Sequence, residues 1–226
     1  MTADPLHRVR NHPRSIGILG GSFDPVHVGH LAMARAAQRR LQLDEVHFVP
    51  TGHPPHKVKH ELAPFAHRYA MVTLACADHQ HFHPSLADAG ENGQPRYSVD
   101  TVRWFRRQLR HPHDRLYFII GADAFLEIPT WKDYETLLGL CDFVVISRPG
   151  FRIEALRLVI PPELLGRARG SKTEIPLRKS TVYLVDSVTS HVSSTEVRRR
   201  RQRGQSIHGL VPVRVEEYIL KQALYS

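Results

Sequence analysis

Cysteine, long apolar runs and any excess of acidic residues are what this chain lacks. Its two cysteines, Cys76 and Cys141, lie far apart and each in an apolar context. That count implies no disulfide framework, and reduced, buried thiols are expected. No stretch approaches the roughly twenty apolar residues of a membrane span, and residues 1–14 have no apolar middle of the kind a secretory signal needs. The expectation is a cytoplasmic protein with no membrane partner, carrying a flexible leader over 1–14 and a single domain over 15–226. There is no internal repeat, and the only biased tract is the arginine-rich run 198–203.

What is present is basic charge and enough apolar residues for one sizeable core. Lys and Arg number 31 against 22 Asp and Glu, a formal charge of +9, and 42% of the 226 residues are hydrophobic. Such a balance suits nucleic acid, an anionic membrane surface or a small polyanion such as ATP, and charge alone does not choose among them.

Apolar runs at 16–19, 46–49, 116–120, 143–146 and 182–185 alternate with segments of helical spacing such as 65–74. Short continuous apolar runs are what strands buried on both faces look like, so the alternation predicts an α/β fold, a doubly wound parallel sheet with helices on both faces. Three stretches read as loops: 51–60 with Pro54-Pro55, 88–96 with two glycines and a proline, and 161–179, an insertion or a flap. Ser193 to Glu196 has capping-box spacing, with Ser193 as cap and Gly204 as stop of one helix. Pro212 opens a last helix whose apolar positions include Val215, Tyr218 and Ile219.

The most informative string is Gly20-Gly21-Ser22-Phe23-Asp24-Pro25-Val26-His27-Val28-Gly29-His30, directly after the run Ile16-Gly17-Ile18-Leu19. It reads as strand, turn and helix. Glycines at 20 and 21 let backbone N–H groups approach a phosphate while the chain turns through angles other residues resist. His27 and His30, three apart in the first helical turn, share a face beside the helix's partly positive end. A His-x-x-His pair is also half a metal site, but no third ligand stands at a telling spacing, and Asp24 before Pro25 suits shaping the turn. His79, His81 and His83 alternate as they would along one face of a strand; no metal is assigned to them.

The string resembles the G-G-x-F-x-P-x-H-x-G-H signature of the nucleotidylyltransferases. Gly121-Ala122-Asp123, Pro129-Thr130-Trp131, Ser147-Arg148-Pro149-Gly150 and Val192-Ser193-Ser194-Thr195-Glu196-Val197-Arg198 follow in the order of the bacterial nicotinate-nucleotide adenylyltransferases. The resemblance runs from about residue 15 onward. It implies a Rossmann-like sheet with C-terminal helices completing the nucleotide site, and transfer of AMP from ATP to nicotinate mononucleotide, giving deamido-NAD⁺ and pyrophosphate, with Mg²⁺ bridging the triphosphate.

By resemblance, His27 takes the leading catalytic role and His30 the supporting one. Gly20, Gly21, Ser22, Phe23, Gly121, Asp123, Ser194, Thr195 and Arg198 are assigned to ATP. Asp123 is expected to close a strand, accepting hydrogen bonds from the adenosine ribose or capping a helix, with Gly121 allowing close approach. Ser194, Thr195 and Arg198 meet the outer phosphates, where a helix N-terminus offers N–H groups and arginine a planar fork. His56, Lys57, Thr101, Trp131 and Arg148 are assigned to the mononucleotide, Trp131 by stacking on the pyridine ring. Thr51-Gly52-His53 departs from the Asn pair and small residue of many relatives.

Two other readings come from the same residues. A different adenylyltransferase of the superfamily would take nicotinamide mononucleotide or phosphopantetheine as acceptor. A basic nucleic-acid-binding protein would use the run 198–203, although a solvated basic helix face explains that run equally, and no nucleic acid partner is expected. Whether the chain forms a homo-oligomer is open.

Overall fold

A computed structural model describes residues 12–52, 62–89, 97–147, 150–167, 170–186 and 192–226. Seven strands form one sheet in the order β3-β2-β1-β4-β5-β7-β6. Their ranges are β1 Ser15–Gly21, β2 Glu45–Pro50, β3 Phe82–Pro84, β4 Arg115–Gly121, β5 Asp142–Ser147, β6 Glu174–Pro176 and β7 Thr181–Asp186. All neighbours pair in parallel except β6, which runs antiparallel along β7. The segment 161–179, expected as a loop, therefore contains an edge strand, joined by a bridge between Leu165 and Leu177.

Side chains alternate along the central strands and feed two cores. On one face Ile16 and Ile18 of β1 and Leu116, Phe118 and Ile120 of β4 pack against α3 (Ser98–Gln108), α4 (Ala122–Leu126), α5 (Tyr134–Leu138) and α6 (Ile153–Leu158). On the other, Leu19, Tyr117 and Ile119 meet α1 (Val28–Leu41), α2 (Phe65–Cys76), α7 (Ser194–Gln202) and α8 (Val213–Lys221). Strands buried on both faces explain the continuous apolar runs. Among the described residues no helix is long and apolar enough to cross a membrane. Both cysteines are free and buried.

Arg14, placed in the leader, is anchored: its N–H donates to Asp114 Oδ1 at 2.8 Å and its carbonyl accepts from Arg115 N–H at 2.7 Å. β1 pairs with β2 on one side and β4 on the other, so the strand order reverses beside it. Open α/β sheets bind ligands in the crevice beyond the strand ends at such a point. The turn into α1 and the turn into α4 both open there.

Candidate active site

The turn from β1 to α1 is built by different residues than expected. Gly20 and Gly21 end β1 without positive φ. The left-handed residue is Phe23 (φ 46), followed by a cis Asp24–Pro25 peptide. A Cβ on Gly20 would meet nothing nearer than the Phe118 ring at 3.8 Å, so no unusual backbone angle requires that glycine; it leaves the strand end open. Phe23 is also corrected as an ATP contact. It has no exposed surface, and its ring lies edge-on to His30 at 4.9 Å and 5.8 Å from Phe48. Its place is in the core, backing His30.

His27 is the N-cap of α1 and only 7% exposed. Its ring stacks on His30 with centroids 3.7 Å apart. His30 Nδ1 accepts the His27 backbone N–H at 3.2 Å, which puts the proton of a neutral His30 on Nε2. His27 leans toward the His30 N–H in capping-box fashion, but its Nδ1 makes no hydrogen bond of good geometry among the described residues. Burial lowers the His27 pKa to about 4, so the ring is neutral near pH 7 and suits a helix end that repels cations. Gly29 makes room for it: a Cβ there would sit 3.0 Å from His27 Cε1 and Nδ1.

Two residues that sequence reasoning had given no role in binding hold this turn. The wholly buried Asp24 accepts the Ala63 N–H at 3.2 Å and the Tyr225 hydroxyl at 2.7 Å through Oδ1. Its Oδ2 lies 3.6 Å from Arg198 Nη1, which donates to the Asp24 carbonyl at 2.7 Å. Arg68, 2% exposed on α2, donates to the carbonyls of Ala63 (2.9 Å), Ser22 (2.9 Å), Thr51 (2.7 Å) and Gly52 (3.3 Å). Its fork thereby pins the turn after β1 to the end of β2 and the start of α2.

The helix expected after Ser193 is in place. Ser193 caps α7, accepting the Glu196 N–H at 3.2 Å, and Gly204 follows the helix with φ 63. The Ser194 hydroxyl donates to the Pro25 carbonyl at 2.9 Å, and the Thr195 hydroxyl is 3.5 Å from Arg198 Nη2. The N-terminus of α7 therefore lies against the His27 turn. Glu196 pairs with Arg199 and, at 2.8 Å, with Arg200, so part of the basic run is neutralised within its own helix.

Asp123 neither closes β4 nor caps α4. Gly121 does both, and Asp123 is the second residue of α4, exposed at the strand-end crevice. Thr101 is buried, its hydroxyl donating to the Tyr97 carbonyl at 3.4 Å at the start of α3. Trp131 is half-buried, edge-on to Phe118 at 6.1 Å, and Lys132 Nζ sits 4.3 Å from the Tyr97 ring centroid beside it. His56, Lys57 and Arg148 lie outside the described residues. His79, His81 and His83 have separate partners: Arg35 at 3.2 Å, the Asp44 carbonyl at 2.9 Å, and the His47 ring at 5.4 Å.

Residues 18–200 match the family model described as cytidylyltransferase-like. A probable nicotinate-nucleotide adenylyltransferase of Moorella thermoacetica is 41% identical over 214 residues, spanning 94% of this chain and 92% of the relative. The chain belongs to the nicotinate-nucleotide adenylyltransferase family. A second member, from Geobacter sp. strain M21, is 40% identical over 93% of this chain and 97% of its own length. Among solved structures, a Plasmodium falciparum nicotinic acid mononucleotide adenylyltransferase complexed with APC superposes with a TM-score of 0.69. It covers 94% of this chain and 97% of its own at 21% identity, a likeness of fold. Within the nicotinate-nucleotide adenylyltransferase family, then, this chain has its paired histidines at the sheet's switch point, backed by Phe23 and held by Asp24 and Arg68.

Proposed function

We propose that the chain transfers the adenylyl group of ATP to nicotinate mononucleotide, releasing pyrophosphate and forming deamido-NAD⁺. The observation that carries this is near-full-length identity of about two residues in five to relatives named for that reaction. The stacked His27 and His30 at the strand-end crevice agree with it.

The attacking group is a phosphate oxygen that is already an anion, so the reaction calls for no general base. Catalysis then consists of lining up the attack on the α-phosphorus and neutralising the charge that gathers on its oxygens and on the leaving pyrophosphate. His27 and His30 serve as neutral imidazole donors, His30 through Nε2–H, with the N-terminus of α1 adding its own partial charge. Thr195 and Arg198 receive the outer phosphates at the start of α7, Gly121 and Asp123 the ribose, and Trp131 the pyridine ring. His56, Lys57 and Arg148 are assigned to the mononucleotide by family resemblance alone. Among the described residues no three His, Cys, Asp or Glu side chains gather as metal ligands. Mg²⁺ is expected to arrive on the triphosphate, whose oxygens suit it, and would neutralise charge there. ATP as substrate and two reduced thiols suit the cytoplasm.

Assaying the purified protein with ATP and either the acid or the amide mononucleotide tests the reading. Dinucleotide and pyrophosphate should form with the acid. Tight ATP binding without dinucleotide from either acceptor would overturn it. In the same assay Trp131→Ala should raise the mononucleotide KM about tenfold while moving that of ATP less than twofold; equal effects on both would remove Trp131 from the pyridine site.

A further inference from the structure

The segment after α8 folds back onto the catalytic turn. Ala223 (φ 48) and Tyr225 (φ 61) both take left-handed backbone conformations that non-glycine residues seldom hold unless their surroundings enforce them. The bend carries the Tyr225 hydroxyl to Asp24 Oδ1 at 2.7 Å, across 201 residues of sequence. Asp24 is the residue whose other oxygen and carbonyl face Arg198, at 3.6 and 2.7 Å. The Tyr225 phenol is pushed well above its usual pKa by burial and by the Asp24 carboxylate, so it remains a donor throughout the neutral range.

We propose that Tyr225 is a positioning residue for the nucleotide site, holding the Asp24 carboxylate in the orientation that aims Arg198 and ties the His27 turn to α7. A carboxylate accepts through two oxygens and can rotate between partners. With Oδ1 occupied by Tyr225 and the Ala63 N–H, Oδ2 is left toward the guanidinium. Arg198 then keeps one nitrogen on the turn, and the remainder of its fork is fixed in direction. Tyr225 touches no substrate; its effect passes through Asp24 and Arg198. This inference rests on the assignment of Arg198 to ATP.

The test is ATP titration by calorimetry, with steady-state kinetics and thermal melts, on Tyr225→Phe and Asp24→Asn, each alone and with Arg198→Ala. Loss of a hydrogen bond to a buried carboxylate should weaken ATP binding about tenfold in Tyr225→Phe. The mononucleotide KM should stay within twofold and the melting temperature within a few degrees. Asp24→Asn should reproduce the ATP-selective loss from the other side of the bridge. In the Arg198→Ala background, Tyr225→Phe should change ATP affinity less than twofold, because the path it acts through is gone. Unchanged ATP affinity, equal loss for both substrates, a fully additive double variant or an unfolded Tyr225→Phe would each overturn the proposal. A parent protein that binds ATP but ignores the nicotinate acceptor would sink only the proposed reaction, since the titration still decides on Tyr225; one that binds no ATP would sink both.

Discussion

His27 is a histidine that burial keeps uncharged, and this sets its pH behaviour. Its folded pKa, near 4, lies below the 6.5 of an exposed imidazole. Above pH 6.5 both the folded and the unfolded chain leave it neutral. Between 6.5 and 4 the unfolded chain takes up a proton that the folded one refuses, so stability falls as pH drops through that window, by up to about 3 kcal/mol. Thermal melts across this range should decline more steeply for the parent than for His27→Gln, and parallel curves would show that the ring is less buried than described. Its neighbour Gly29 is required by a side chain rather than by its own backbone. The methyl of Gly29→Ala would stand 3.0 Å from the His27 ring, and a displaced ring should lower turnover by about one to two orders of magnitude. A melting temperature that scarcely moves would separate this from unfolding. These roles were readable in part. The spacing of the two histidines put them beside one helical turn, whereas Phe23 was assigned to ATP by resemblance, and nothing local says that it is wholly buried.

Arg68 belongs to the scale of elements, since one guanidinium joins β1, β2 and α2 through four carbonyls. Lysine cannot reproduce that fork. Arg68→Lys should therefore cost about 2–3 kcal/mol, read as a lowered urea midpoint, with a loss of activity exceeding the loss of folded protein. A variant as stable and active as the parent would show that the carbonyls find water instead. The elements themselves were legible where physics writes them locally. Each of the five apolar runs became a strand, because a strand covered on both sides must be apolar throughout. β3 and β6 were missed. Each is three residues long, and Phe82-His83-Pro84 and Glu174-Ile175-Pro176 contain no run to notice; their strand character comes from the neighbour each pairs with. For the same reason, Arg68 and Tyr225 went unread. Their partners lie between 5 and 201 residues away, and no pattern around either residue announces them.

The molecule as a whole has one sheet between two apolar layers, with a cysteine in each: Cys141 on the α3–α6 side and Cys76 on the other. Burial pushes the Cys76 thiol up to about 12 and the Cys141 thiol higher still. Neither should react with a thiol-selective reagent in the native state, while both should titrate at once in denaturant; rapid native labelling of either would mean that its layer opens. Two of the contacts that secure the turn around Asp24 also have a consequence for synthesis. They come from residues 174 and 201 positions further along. At about 5–20 residues per second, a ribosome needs roughly ten to forty seconds to reach Tyr225 after making Asp24. For that interval the turn has Phe23 and, once made, Arg68, but neither of these two later contacts, and its full set of contacts closes only when translation has passed the last helix.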